Sequence, residues 1–367
     1  MNIKEKTKEA APVTLADKKP VGRGGARKRK VKTVIDRIFG FFLATGIVVG
    51  VACLGLEYVI VKGPSPALCE TFVMTMLETR RFGFIPNIFL SEEEVAAIKA
   101  KRDQKIDTEF DSSLINISTD DKPGETDQTV ETPQYNTVDE DGDGVILEDI
   151  KGNGYAGYML TILDPKRVFV GMPDGYGGSG LQLDKMCEKY GAIGGINAGG
   201  FYDENGAGLG GLPDGLTIIG GVCYNEGYGG DSFAGFDENG ILHVGYYSLA
   251  DAQNAGIRDG VSFGPILIIN GEAVDSSFLS SGVNPRTAIG QRADGAVLML
   301  VIDGRQVHSI GATYQDVVDI MLDHGAVNAC NMDGGSSTVM YYNGEYVNSC
   351  SSENGVCRPL PDAFLFK

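Results

Sequence analysis

Residues 38–56 carry no charged side chain, and the apolar character resumes at 58–61 after the single Glu57. Nothing else in the chain limits its fold so strongly, because an uncharged run of this length crosses the hydrocarbon core of a bilayer as one helix. The flanks give the orientation. Residues 1–37 hold twelve Lys or Arg against four Asp or Glu, a net of +8, whereas residues 63–367 hold 18 against 44, a net of −26. The positive-inside rule then predicts a basic cytoplasmic tail over 1–37, a transmembrane helix over 38–61 and an extracytoplasmic remainder in the cell membrane. A cleaved signal peptide is the rival reading; the positive region is long for one, and no small-x-small site follows Leu56 cleanly. A basic arm next to an apolar span is a topology signal, so no nucleic-acid partner is expected.

Beyond the span, residues 67–80 read as a helix, and Ser91 with Glu94 forms a capping box that opens a second one through Gln104. Together they make a juxtamembrane helical stalk over 62–106. Residues 107–138 are rich in Asp, Glu, Thr, Ser and Pro and too poor in large apolar side chains to offset the entropy of ordering, so 107–144 is expected to be a flexible acidic linker. Its end carries Asp139, Asp141 and Asp143 at the spacing of an EF-hand calcium loop, but the twelfth position is Ile150 instead of Glu and no helix follows. No cofactor is expected, and calcium at these three aspartates is the one opening the spacing leaves. With three histidines and no Cys-x-x-Cys, a zinc site is not expected. Cys350 and Cys357 are near enough to close a small loop, though spacing alone leaves their pairing open.

Residues 145–367 read as one globular domain, in which 52 glycines in the whole chain point to many turns between short strands. Strands are expected at 158–163, 168–170, 192–196, 216–219, 232–236, 241–246, 262–269, 297–302 and 326–332, with helices at 181–190 and 313–324. A last hairpin pairs 339–342 with 345–348 about Asn343 and Gly344. One piece of syntax occurs twice. A helix stops at Gly191 or Gly325, an Ala follows, an Asn stands six positions after the Gly (Asn197, Asn331), and Gly-Gly comes within four residues more. Two helix–strand units would then deliver two polar loops to one region.

The second of these loops, N-M-D-G-G-S-S-T at 331–338, carries the chemistry. Asp333 stands where a strand ends, Gly334 and Gly335 permit positive φ and close approach of backbone to a ligand, and Ser336, Ser337 and Thr338 add hydroxyl donors. A lone carboxylate beside a cradle of donors suits an anionic substrate; the bland reading is a tight turn with Asp as turn-former.

The succession G-I-N-A-G-G-F at 195–201, N-P-R-T-A-I-G at 284–290, V-I-D-G-R at 301–305, G-A-T at 311–313 and N-M-D-G-G-S-S-T at 331–338 resembles the phosphodiester glycosidase family. The resemblance covers roughly residues 145–366. It implies an α+β, mixed-sheet domain that hydrolyses a sugar joined through its anomeric carbon to a phosphodiester, releasing the sugar and leaving a phosphate monoester. Where members often show D-G-G-G-S, this chain has D-G-G-S-S. The expected catalytic set is Asp333, Asp303 and Arg286, a carboxylate for an oxocarbenium-like transition state and a guanidinium for the phosphate. The expected substrate-binding set is Asn197, Thr287, Arg305, Asn331, Gly334, Gly335, Ser336 and Ser337. His308 is read as a surface or capping residue, since no G-x-S-x-G nucleophile accompanies it. The expected substrate is a cell-envelope glycan or sugar phosphodiester; the alternative is a non-catalytic glycan-binding or structural surface protein on the same fold.

Overall fold

The computed structural model describes residues 24–78, 82–102, 108–117, 138–202, 208–275, 279, 281–352 and 355–367. The chain divides into two compact units, residues 1–59 and 60–367. Helix α1 (Gly24–Lys62), most of it in the first unit, includes the apolar stretch 36–62, long and apolar enough to cross a bilayer; its most apolar 18-residue window is not covered by protein, while Val61 at its end is buried. A core helix of a soluble domain would be covered. Residues 1–23 of the basic tail lie outside the described residues.

The second unit opens with helices α2 (Pro66–Glu78) and α3 (Glu92–Arg102), joined through a 3-10 turn at Ile85–Ile88. The expected capping box forms: the Glu94 amide donates to Ser91 Oγ at 3.1 Å and the Ser91 amide to Glu94 Oε2 at 2.7 Å. Val73, Leu90 and Val95 form a small core with Val61 from the end of α1. The pair is not a free stalk. A Cβ on Gly282 would lie 2.6 Å from Thr75 Cα, so α2 rests on a loop of the main domain.

Residues 108–117, expected to be linker, also dock on the domain. The Asp111 amide donates to Asn270 Oδ1 at 2.8 Å and the Asn116 amide to the Ala293 carbonyl at 2.8 Å, while Ile115 is buried. Composition missed this because the apolar contributors, Phe110, Ile115 and Ile117, are few and the turns at 270 and 293 supply the backbone partners. The rest of that linker, 118–137, lies outside the described residues.

The main domain is α+β. Its first sheet has seven strands in the spatial order Val145–Lys151, Ala156–Ile162, Val297–Ile302, Arg286–Arg292, Ala326–Met332, Ile266–Ile269 and Glu272–Ala273. A second, five-stranded sheet runs Leu242–Tyr247, Asp231–Asp237, Ile257–Ser262, Leu216–Ile219 and Val222–Glu226; a third, also of five, runs Glu345–Tyr346, Met340–Tyr342, Gly194–Asn197, Ala363–Phe366 and Val168–Gly171. Pairing is antiparallel throughout these described strands, a narrower arrangement than the mixed sheet expected. Every residue of Val297–Ile302 is buried, which accounts for its unbroken apolar run. Buried Gln291 joins the first two sheets by accepting from the Leu242 amide and donating to the Gly240 and Gly295 carbonyls.

Three helices pack on these sheets. Helix α4 (Leu183–Tyr190) buries Leu183, Met186 and Cys187 and ends at left-handed Gly191 (φ 62°). Helix α5 (Leu249–Asn254), capped by Ser248 with Asp251, is too short for periodicity to reveal. Helix α6 (Tyr314–Asp323) is capped by Thr313 with Asp316 and buries Val317, Val318, Ile320 and Met321. The expected single strand at 262–269 is two. Pro265 has no amide to donate, and there the chain leaves the second sheet and enters the first.

The contact at Gly282 is testable. Gly282→Ala is expected to cost about 1–3 kcal/mol through overpacking against Thr75, read as a lower Tm and earlier proteolysis of α2. An unchanged Tm would mean that α2 does not rest on the domain.

Candidate active site

The two repeated units do converge. Strand Gly194–Asn197 of the third sheet and strand Ala326–Met332 of the first end side by side, where the Asp333 amide donates to the Ala198 carbonyl at 3.0 Å. Asn197 joins them. Its Nδ2 donates to the Asp333 carbonyl at 2.6 Å, and its Oδ1 accepts from Thr287 Oγ1 at 2.8 Å and the Val339 amide at 3.0 Å. Asn197 and Thr287 are fully buried, so the structure places both behind the loop that carries Asp333. Asn331 is buried too, donating to the Gly264 and Met332 carbonyls.

Arg286 also lies inside. Its guanidinium donates to the Ala312 and Gly282 carbonyls at 3.1 and 2.6 Å and stacks 4.0 Å over the Tyr314 ring. At 4 % exposure it braces the loops of the site from within.

The groups at the surface of the site are Asp333, half-buried, with Gly334, Gly335 and Ser336, flanked by two other arginines. Gly334 is required for space, since a Cβ there would meet the Pro285 carbonyl at 2.8 Å; Gly335 takes the left-handed conformation (φ 62°). Ser336 falls in the 3-10 turn Gly335–Ser337, outside the left-handed region, so a serine side chain fits there. Ser337 is buried. Arg305, itself at φ 59°, donates to Asn284 Oδ1 at 3.0 Å and lays its guanidinium over Gly335, 3.4 Å from where a Cβ would be. Arg358 donates to Ser336 Oγ at 3.1 Å and stacks 4.5 Å over the Phe201 ring. Two guanidiniums therefore border one glycine-rich turn.

Arg358 escaped the sequence reading because it sits next to a cysteine in no recognisable pattern. The structure gives its setting: Cys350 and Cys357 form a disulfide, and Ser351 within that loop donates to the Gly335 carbonyl at 2.9 Å. Asp303 anchors the start of the same loop. Its buried carboxylate accepts from Asn348 Nδ2 at 3.1 Å and the Ser349 amide at 3.0 Å, and lies 2.9 Å from His308 Nε2. His308 is exposed, as its reading as a surface residue expects, and it is also the partner of Asp303.

A second carboxyl lies behind Asp333. Asp362, fully buried at the start of strand Ala363–Phe366, accepts the Gly199 amide at 2.6 Å through Oδ1, and Oδ2 has no hydrogen-bond partner among the described residues. Burial, with the nearby Asp333 charge adding to it, pushes its carboxyl up to about 7 against the Gly199 hydrogen bond. Only Pro361 before it and an apolar strand after it surround this residue in sequence, and no periodicity marks it.

Asp139, Asp141 and Asp143 bring carboxylate oxygens within 4.8 Å of one another. The loop's own amides occupy much of that set: Asp139 accepts from Gly142 and Gly144, and Asp143 from Val145 and the Tyr342 hydroxyl. This is a turn closed on itself and tied to the last hairpin.

The sequence pattern of the phosphodiester glycosidase family matches residues 190–367. An uncharacterized protein of Bacillus subtilis (strain 168), derived from the SPbeta prophage, is 31% identical over 188 residues, 48% of this chain and 28% of that protein. N-acetylglucosamine-1-phosphodiester alpha-N-acetylglucosaminidase of Mus musculus is 27% identical over 223 residues, 54% of this chain and 42% of that enzyme. The chain thus spans less than half the length of these relatives. The fold is that of the catalytic domain of the zebrafish enzyme of the same name, solved auto-inhibited by its pro-peptide, with a TM-score of 0.52 and 21% identity over 60% of this chain and 81% of that one.

A buried carboxyl held neutral is a stability statement. Its folded pKa of about 7 exceeds the ordinary 3.8, so the folded state binds the extra proton between these values and stability falls as pH rises through that window. Asp362→Asn removes this penalty. The difference in Tm, variant minus wild type, is expected to grow from pH 5 to about pH 8; a flat difference would show that Asp362 is ionised at both ends.

Proposed function

We propose that residues 145–367, a domain with the fold and sequence pattern of phosphodiester glycosidases, hydrolyse a sugar-1-phosphodiester, releasing the sugar and leaving a phosphate monoester. The observation that carries this reading is the Asp333 carboxylate, delivered by the turn that Arg305 and Arg358 border. A phosphodiester bears one negative charge, which two guanidiniums can hold through parallel N–H donors, orienting the anomeric carbon toward the carboxylate. As the C1–O bond breaks, positive charge develops on the sugar ring and the bonding pair leaves with the phosphate. Asp333 stabilises that charge, and water completes the sugar as its hemiacetal. Phosphate is a good leaving group, so little proton donation is required of the protein. Asp362, whose carboxyl burial pushes up to about 7, holds a proton more readily than an ordinary carboxylate beside the Asp333 charge.

The assignment differs in emphasis from the sequence reading. Arg358 and Arg305 take the phosphate, Arg286 braces their loops, and Asp303 positions the disulfide loop from which Arg358 emerges. The apolar helix α1 supports a membrane-anchored, extracytoplasmic enzyme that meets cell-envelope glycans.

Asp333→Asn keeps the loop's shape and is expected to lower turnover at least about a thousandfold with much of the affinity retained, the signature of a charge that acts in the transition state. Arg358→Lys exchanges a planar fork for a point charge and is expected to lower kcat/KM about 10–100-fold, chiefly through KM. The assay is release of free sugar from a nucleotide-linked or chromogenic sugar phosphodiester. Binding of such compounds without cleavage by the wild-type protein would favour the glycan-binding alternative.

A further inference from the structure

A cavity of about 420 Å³ stands beside the disulfide loop, and the reaction proposed above leaves most of its lining unused. Its size falls within the roughly 300–1,000 Å³ of small-molecule sites. The start of helix α4 supplies Gln182 and Asp184, the last hairpin and the residues after it supply Tyr346 and Asn348, and the disulfide with Val356 closes it. Gln306 completes the wall. The cavity adjoins the site. Gln306 follows Arg305 and Cys357 precedes Arg358, so the wall stands one residue, about 3.8 Å between Cα atoms, from each of the two arginines. The same wall holds the loop: Gln182 Nε2 donates to the Cys357 carbonyl and Gln306 Nε2 to the Ser349 carbonyl, both at 2.7 Å.

What the lining can still bind follows from its remaining atoms. Tyr346 donates its hydroxyl to Asp184 Oδ1 at 2.7 Å, and among the described residues no hydrogen bond reaches Asp184 Oδ2, Gln182 Oε1 or Gln306 Oε1. These three are acceptors, and each glutamine amide keeps a second N–H. Among the described residues no Lys or Arg lines the cavity and a carboxylate does, so a phosphate would find no cation there and one repelling charge. Hydroxyl groups suit the set, since each can donate to an oxygen and accept from an amide. The exposed Tyr346 ring and the disulfide add apolar surface against which the C–H face of a sugar packs. We propose that the cavity binds a neutral sugar unit of the glycan that carries the phosphodiester, a subsite next to the one where cleavage occurs. The inference rests on the reading of this domain as a phosphodiester glycosidase, with the phosphate itself at Arg305 and Arg358.

Saturation-transfer NMR on the full-length protein in phosphatidylcholine nanodiscs tests the cavity, with N,N′-diacetylchitobiose, cellobiose and maltose as probes. At least one is expected to bind the wild type. Asp184→Asn can still accept from Tyr346 while its other terminal atom becomes a donor, and is expected to weaken that binding about fivefold. Val356→Trp puts an indole into the cavity and is expected to abolish it, with Tm confirming that each variant is folded. No transfer to any of the three sugars in the wild type overturns the subsite. Equal transfer in the wild type and both folded variants also overturns it, since the sugar then sits elsewhere. Chitobiose, with free amines, binding more tightly than its diacetyl form would make this an ammonium site and overturn the neutral ligand. Cleavage of a chromogenic sugar phosphodiester is read on the same samples. Cleavage without disaccharide binding removes the subsite and leaves the hydrolase standing; binding lost in the variants, in a protein that cleaves nothing, upholds the cavity as a sugar site and removes the hydrolase.

Discussion

The candidate site depends on one buried side-chain amide. Asn197 donates to the Asp333 carbonyl and accepts from Thr287 and the Val339 amide, so strand ends from two sheets and the turn after Asp333 meet at a single group. Inside a protein, each such bond left unmade costs about 1–3 kcal/mol, and a fully satisfied network holds one geometry against alternatives. That rigidity lets Gly335 and the 3-10 turn keep their conformation at a half-buried surface. Asn197 and Thr287 hold the loop from behind, fully buried.

Around this bracket the charges are sorted by depth. Arg286 and Asp303 are buried and spent on carbonyls, amides and an imidazole, which makes them braces. Arg305 and Arg358 lie at the turn itself, one held by Asn284 and the other by Ser336 and a ring face. Asp362 is fully buried, and the cost of ionising it there raises its pKa beside the Asp333 charge.

Much of this was legible in the sequence. The repeated Gly-Ala-Asn syntax announced two loops converging on one region, and they meet where Asn197, expected to bind substrate, donates to the Asp333 carbonyl. The capping box at Ser91 and the Asn343-Gly344 hairpin were likewise written locally. What escaped was set by depth and distance. Spacing cannot tell that Arg286 points inward while Arg358 reaches the turn 22 residues away. Nor can it see that Asp362 is fully buried, or that Asp111 and Asn116 find partners at turns more than a hundred residues on. Pro265 was visible, but its meaning, a change of sheet, belongs to the tertiary structure.

The central claim is that the carboxylate acts at the sugar's anomeric carbon while the guanidiniums hold an intact phosphate. Hydrolysis in 18O-labelled water decides it directly. Cleavage of the C1–O bond places the label on the released sugar and leaves every phosphate oxygen unlabelled, which is the outcome this arrangement of Asp333, Arg305 and Arg358 requires. Label in the phosphate monoester would mean attack at phosphorus, and the account would be wrong.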